Sequence, residues 1–442
     1  MKQIVSSGFL WMGEKMTNGR RAVSALLVAV LFIGLAGCTK EEKETSKKVT
    51  EEISIPMILT VDPTTGAKNE QRLVKAFNKA YRGTYHLDVE WVMETEEEYR
   101  KNLKRLNVTD ELPAVITDLR MLPSFYRMMI EEGRIEDISD AVNSDPEWKN
   151  MIEPAVMEAC TEEDGSIYLS PISTAAFSCS GVFWNQKLFE QAGIERFPET
   201  WEEFWKCCKK LKNAGVTPLG LHTEGTGWAA MLLATAELAA TEEGEAFMKQ
   251  LYPDSYQNES GIHLAESLQR LFQYTTEDAL HTDFDVAYTN FVSEKVAMLP
   301  NGYWMIEKIP EEIKKDVRFS PFPKNELISS PETFGWAIVF GYSDEVKEGA
   351  LAFFKFRTIF NQEEKVQLFK QDKEKVDRLL LDYLEAFEGN PQIVPNYQVK
   401  WNSILQEETL GECLPDLAQG KMTPEEFVQK ADDSIRQYRE EQ

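Results

Sequence analysis

From Ile53 onward the chain alternates between two hydrophobic periods. Apolar residues dominate Ile53 to Val61, which predicts a strand, and Asp62-Pro-Thr-Thr-Gly66 predicts the turn after it. Leu73, Val74, Phe77 and Tyr81 then recur at helical spacing, with Gly83 as the stop. Leu87, Val89 and Trp91 alternate with Asp88 and Glu90, the period of two of a half-buried strand. Thr95-x-x-Glu98 has the form of a capping box and opens a helix with Tyr99, Leu103 and Leu106 on one face. Pro113 to Asp118 is a short apolar strand. This β-α-β-α-β order predicts a largely parallel sheet covered by helices.

A second series follows Ile167-Tyr-Leu-Ser-Pro171. Thr200-x-x-Glu203 is another capping box, and Trp201, Phe204, Trp205, Cys208 and Leu211 form the buried stripe of its helix. Gly215 ends that helix and Val216 to His222 makes the next strand. Strands are also predicted at 296–299, 318–322 and 336–340, and a helix through Val346, Leu351 and Phe354. The tail from about Glu374 is helical and charge-rich. The fold class expected is therefore α/β, in two units, with no internal repeat.

Charge narrows the partners. The 442 residues hold 48 Lys and Arg against 74 Asp and Glu, a net charge of −26. Such a surface opposes a phosphate backbone, so no nucleic-acid partner is expected. It also disfavours a broad docking face for anionic lipid. Cysteine and histidine supply no patterned chemistry. Cys160, Cys179, Cys207, Cys208 and Cys413 show no C-x-x-C spacing and are odd in number, which argues against a disulfide scaffold. His86, His222, His263 and His281 are scattered. His281-Thr-Asp283-Phe-Asp285 lacks the glycine turn and terminal Glu of a calcium loop and is read as a solvated acidic loop. Neither metal nor cofactor is expected.

The first residues are a separate element. Arg20 and Arg21 precede fifteen uncharged residues, Ala22 to Ala36, shorter than the roughly 20 that span a bilayer and suited to the apolar core of an export signal. That stretch closes on Leu35-Ala36-Gly37-Cys38 and resembles the lipobox of bacterial lipoproteins. The resemblance implies a diacylglyceryl thioether on Cys38 and cleavage before it; Met16 is an alternative start. An ordinary secretory signal with a chance cysteine is the plainer alternative. Removal of residues 1–37 takes away Lys2, Lys15, Arg20, Arg21 and Glu14, leaving 44 basic and 73 acidic groups, a net of −29 over 405 residues. Residues 38–52 read as a charged tether.

Further motifs identify a family. Val182-Phe-Trp-Asn-Gln-Lys-Leu-Phe189, Gln191-Ala-Gly-Ile194, Pro198-Glu-Thr-Trp-Glu-Glu-Phe204 and Lys209-Lys-Leu-Lys-Asn-Ala-Gly215 occur in that order. Phe291-Val-Ser-Glu-Lys-Val-Ala-Met-Leu-Pro-Asn-Gly-Tyr-Trp304 and Gly420-Lys-Met-Thr-Pro-Glu-Glu426 follow. The chain resembles, from about Ile53 to its end, the extracellular solute-binding proteins of ABC importers in their sugar- and maltose-binding branch. The resemblance implies a bilobal clamp. Lobe 1 is expected from 53–172 with 325–372 and lobe 2 from 173–324 with 373–442, joined by a multi-crossover hinge, with ligand in the cleft between them. It implies a monomer on the outer face of the cytoplasmic membrane, held by lipid only, that passes a sugar to permease subunits. The chain departs from the family at Pro113-Ala114, where Pro-Asp is common, and at Trp184-Asn185-Gln186, where Tyr-Asn-Lys is common.

Sugar recognition takes aromatic faces for ring C–H surfaces and carboxylates, amides or hydroxyls for the hydroxyl groups. Trp304 matches the family's cleft tryptophan and is the first candidate; a core indole at a helix start is the alternative. Trp228, in a Gly-rich turn after a strand, and Trp336, after Phe334-Gly335, are further candidates. Asp118, at a strand's carboxyl end, and Ser173 and Thr174, at the first crossover, are the polar candidates; each is equally suited to a turn or cap. Trp201, Trp205 and Trp91 are assigned to the core. Two rival functions remain: a lipid-anchored glycoside hydrolase using paired carboxylates, for which no motif singles out an acid and a nucleophile, and the same fold binding a non-sugar solute or serving a membrane sensor.

Overall fold

Ile53–Thr60 (β1) and Tyr85–Val92 (β2) lie parallel in register, Ile53 beside Tyr85 through Thr60 beside Val92, so that Ile55, Met57 and Leu87 sink into the core. The computed structural model describes residues 52–61, 67–93, 96–117, 123–250, 252–401 and 404–441. The other strands described are β3 (Val115–Thr117), β4 (Cys179–Asn185), β5 (Thr217–Leu219), β6 (Val296–Gly302), β7 (Val317–Ser320), β8 (Glu326–Ser329), β9 (Trp336–Ile338) and β10 (Gln392–Pro395). They build two sheets. The first has the order β2-β1-β3-β9, parallel except that β9 runs antiparallel to β3. The second has the order β10-β8-β4-β6-β5, with β7 also on β4.

Helices form where the apolar spacing places them. Lys68–Ala80 buries Leu73, Val74 and Phe77 against the first sheet, and Glu96–Val108 buries Tyr99 and Leu103. Thr95, the expected cap of that helix, lies outside the described residues. In Trp201–Asn213 the Thr200 hydroxyl accepts the Glu203 N–H at 3.2 Å, as a capping box requires. The Glu203 carboxylate, however, reaches back to the Glu199 N–H rather than to that of Thr200. Trp201 and Trp205 are buried, whereas Trp91, also assigned to the core, is half-buried.

Three strands were not expected from periodicity. All seven residues of β4 are buried, so its two faces are equally apolar and no alternation marks it. Strands β8 and β10 are four residues each. Because β8 pairs with β4 and β10, residues 326–329, within the stretch expected in the first lobe, belong to the second sheet; the chain crosses after Ser329. The charge-rich tail is likewise interrupted by β10 rather than helical throughout.

The chain passes between the sheets at three places: 170–179, 329–336, and beyond helix Asp344–Phe369. That helix packs on β1 and also grips the first crossover. Buried Arg357 donates to the Ser170 hydroxyl at 2.9 Å and to the carbonyls of Ser170 and Phe334. The next residue, Thr358, bonds the Pro171 carbonyl at 3.2 Å and receives the Trp148 indole N–H. One turn-pair later, Lys365 meets Glu153, whose other oxygen accepts the Ala175 N–H. Ser178 Oγ lies 3.1 Å from Ser329 Oγ, joining the first crossing to the second, and the Asn396 amide, just past β10, donates to Ser330 Oγ of the second at 3.0 Å. An apolar cluster continues through this region, from Phe77, Trp336 and Phe353 to Phe183, Leu299 and Phe319.

Replacing Arg357 by methionine keeps the volume and strips donors from two buried carbonyls. The variant is expected to lose about 2–3 kcal/mol in urea unfolding, read as a lower midpoint at unchanged slope. An unshifted midpoint would mean that Arg357 does not hold the crossovers.

Candidate functional site

Strands β5 and β6 lie side by side in parallel, so the segments leaving their carboxyl ends emerge at one edge of the second sheet. In open α/β sheets that edge is where ligands bind. Two of the expected tryptophans are delivered there. Trp304 follows β6 by two residues, in the 3-10 turn Tyr303–Lys308, and is half-buried. Its indole lies against the backbone of Gly302, where a Cβ would overlap the ring. The indole also meets Phe334, centroids 5.4 Å apart at 53°. Phe334 ends the turn Pro331–Phe334 that leads into β9 of the first sheet. The Trp304–Phe334 pair therefore joins a strand end of one sheet to the crossover entering the other.

Trp228 begins helix Trp228–Ala239 after a turn in which Thr226 and both flanking glycines have positive φ. It too is half-buried. It contacts His222 at 5.4 Å and 66° and Phe284 at 4.9 Å. The His222 Nδ1 lies 2.8 Å from the Glu224 carbonyl. Since a carbonyl only accepts, Nδ1 carries the proton and Nε2 presents a lone pair. Burial pulls the imidazole pKa down to about 4, against a partial upward pull from the Glu224 carbonyl, so the ring is neutral at ordinary pH.

Several buried polar atoms at this edge have no protein partner. They are His222 Nε2, Thr223 Oγ1, Ser180 Oγ and the Asn301 amide nitrogen. Ser180 stands opposite Gly302 in the β4–β6 register, and Asn301 precedes it. Ser173 Oγ, in the first crossover, is also unpartnered, as is Glu332 Oε2, two residues before Phe334. Each such atom costs about 1–3 kcal/mol when left unpaired. Burial pushes the Glu332 carboxyl up to about 7, with its own backbone N–H and the Lys400 ammonium pulling partly back. The set offers hydroxyls, an amide, a neutral imidazole acceptor and a carboxyl beside two half-exposed indoles, which is chemistry for an uncharged polyhydroxylated solute.

The remaining candidates fare differently. Trp336 is corrected to a core residue: it is 5% exposed, stacked on Phe353 at 5.2 Å and covered by the Arg357 guanidinium at 4.4 Å. The β9 pleat turns it inward, and the aromatic that faces Trp304 is Phe334, two residues earlier. Thr174 is fully buried and caps a short turn through the Ala176 N–H at 3.1 Å, so its oxygen is already engaged. Asp118 lies outside the described residues, as does Cys38. In His281–Asp285, Asp283 caps helix Phe284–Val292 through the Asp285 N–H. Cys160, Cys179, Cys207, Cys208 and Cys413 are buried thiols outside any disulfide. Sequence reasoning missed His222, Thr223, Phe284, Glu332 and Phe334. The strand-end rule applied to Val216–His222 signals the first two; nothing local marks the others.

The chain matches the family described as bacterial extracellular solute-binding protein over residues 72–371. A multiple sugar-binding protein of Streptococcus mutans is 29% identical over 161 residues, which are 34% of this chain and 36% of that protein; the match thus spans about a third of the relative's length. Among solved structures, a chitin oligosaccharide binding protein superposes with a TM-score of 0.68 at 20% identity, covering 87% of this chain and 98% of that one. A binding protein of an ABC transporter from Bifidobacterium animalis subsp. lactis, in complex with mannobiose, gives 0.62 at 16% identity, covering 89% and 96%. At these identities the structural matches speak for the fold.

Glu332→Gln is expected to alter the pH dependence of stability in one direction. A carboxyl whose folded pKa is raised from 4.5 to about 7 stabilises fully below 4.5 and loses that contribution as pH rises through 7. Relative to the parent, the variant therefore gains stability between pH 4.5 and 7.5, up to about 3 kcal/mol, measured by urea unfolding across that range. Parallel profiles would show that Glu332 is ionised as in water.

Proposed function

As the chain belongs to the bacterial extracellular solute-binding family, we propose that it captures a sugar or oligosaccharide between its two sheets and delivers it to the permease subunits of an ABC importer. The observation that carries this reading is the Trp304–Phe334 pair, which puts an aromatic platform where a strand end of one sheet meets the crossover into the other. A ligand seated there touches both halves and so favours their closed arrangement. Trp228 supplies a second platform. His222 Nε2, Thr223, Ser180, Asn301 and Glu332 supply partners for ligand hydroxyls in either hydrogen-bonding sense. The names of the relatives, binders of chitin oligosaccharide, mannobiose and multiple sugars, point to the same ligand class.

In this reading the protein is a monomeric binding protein and not an enzyme. Its lobes are 53–172 with 330–372, and 173–329 with 373–442, the boundary following the place of β8. Acylation of Cys38 holds it on the outer face of the cytoplasmic membrane. Among the described residues no helix is long and apolar enough to cross a membrane, and the anchor reading assigns membrane attachment to the lipid.

A thermal-shift screen of mono- and oligosaccharides tests the ligand class. A ligand at a hundred times its Kd adds about 2.7 kcal/mol, and Trp304→Ala and Trp228→Ala are each expected to weaken the best sugar about tenfold or more. Stabilisation by a cation or polyamine with none by any sugar would sink the reading, as would catalytic turnover of an oligosaccharide by the pure protein. Cys38→Ser is expected to move the protein from the membrane fraction into the medium; retention in the membrane would refute the anchor.

A further inference from the structure

Residues 68–82 carry five basic groups, Lys68, Arg72, Lys75, Lys79 and Arg82, against the single acid Glu70, in a chain whose net charge is −26. The helix Lys68–Ala80 turns Leu73, Val74 and Phe77 inward and leaves Lys75 and Lys79 in solvent, with Arg82 exposed just past its end. Arg72 pairs with Glu364 at 2.6 Å. Among the described residues, no carboxylate pairs with Lys75, Lys79 or Arg82, although acids outnumber bases in the chain as a whole. These three groups, with His86, Trp91 and Glu52, line a shallow depression of about 620 Å³. Glu52 marks where the leading segment enters: its carboxylate accepts the Gly83 N–H at 2.7 Å, beside Arg82.

We propose that this face docks on the phosphate-bearing headgroups of the membrane that holds the anchor, and thereby sets the orientation of the clamp. The proposal rests on the acylation of Cys38 put forward above. From Thr39 to Glu52 there are 14 residues, a chain length that can reach at most about 50 Å. The depression at Glu52 is thus kept close to the bilayer, at a high effective concentration. Most of the remaining surface is acidic and repelled by anionic lipid; Lys209 and Lys210 are also exposed and unpaired among the described residues, but the basic face at 68–82 is the one beside the leading segment and so the one that approaches. Half-buried Trp91 suits the headgroup level, where amphipathic rings collect. The overall charge excludes a broad docking face, and this local one is compatible with it because screening confines the attraction to within about 10 Å at 0.1 M salt.

The test uses the protein purified from membranes and reconstituted in vesicles of phosphatidylcholine alone or with about 30% phosphatidylglycerol. Lysine acylation by a soluble amine reagent is followed peptide by peptide. Lys75 and Lys79 are expected to react about threefold or more slowly on the anionic vesicles. That protection should vanish in about 0.5 M salt and fall in Arg82→Gln. Lys206 and Lys249, exposed on helices of the second unit, should react equally on both. Equal labelling of Lys75 and Lys79 on the two compositions would overturn the proposal, and so would protection that survives high salt. The mass of the N-terminal peptide reports acylation of Cys38 separately. If it is unmodified, the same labelling with protein added to the vesicles from solution decides the docking by itself.

Discussion

Everything at the candidate site depends on how the crossovers are held. Arg357 is buried under the Trp336 indole and donates to both Ser170 and the Phe334 carbonyl, so a single guanidinium fixes the first crossover to the second. A buried arginine costs a great deal to desolvate, and carbonyl and hydroxyl acceptors with an aromatic face above return part of that cost. Its planar fork allows two segments to be held from one helix, which a lysine at this place would not do. The position of Phe334, and with it the aromatic platform against Trp304, follows from this tie.

The two sheets differ in what their edges do. The first is a plain parallel arrangement closed by antiparallel β9, and its main task is to carry the helix that grips the crossovers. The second is mixed around the fully buried β4, with Gly181 leaving room for the Phe319 ring and the Ser320 carbonyl. Its carboxyl edge gathers Trp304, Trp228, His222 and Thr223. Unpartnered buried polar atoms cluster at that edge and at the crossovers, with Ser173, Ser180, His222, Thr223, Asn301 and Glu332, although others such as Thr235 and Asn361 lie within helices. In the second core the buried Glu237 carboxylate is engaged internally, between the Trp205 indole and Ser267.

Much of this was legible along the chain. The amphipathic helices at 68–80 and 201–213 and strands β1 and β2 have one apolar face each, and a one-sided face writes a period into the sequence. Strand β4 has two apolar faces and writes none. The placement of Trp304 and Trp228 just past strand ends was legible, because that is a local feature. Trp336 was misplaced because cleft and core indoles look alike in sequence, and the pleat of β9 with Phe353 behind it decides between them.

By itself the sequence determined the α/β class, the acidic excess and the order of motifs shared with a family, features read from composition or from neighbours a few residues apart. The tertiary structure alone decided that β8 crosses into the second sheet, that Phe334 rather than Trp336 meets Trp304, and that His222 presents an unprotonated nitrogen beside Trp228. Those outcomes join residues such as 304 to 334 and 222 to 284, far apart along the chain. Contacts of that range are set by packing and by the cost of burying polar atoms, and no local period records them.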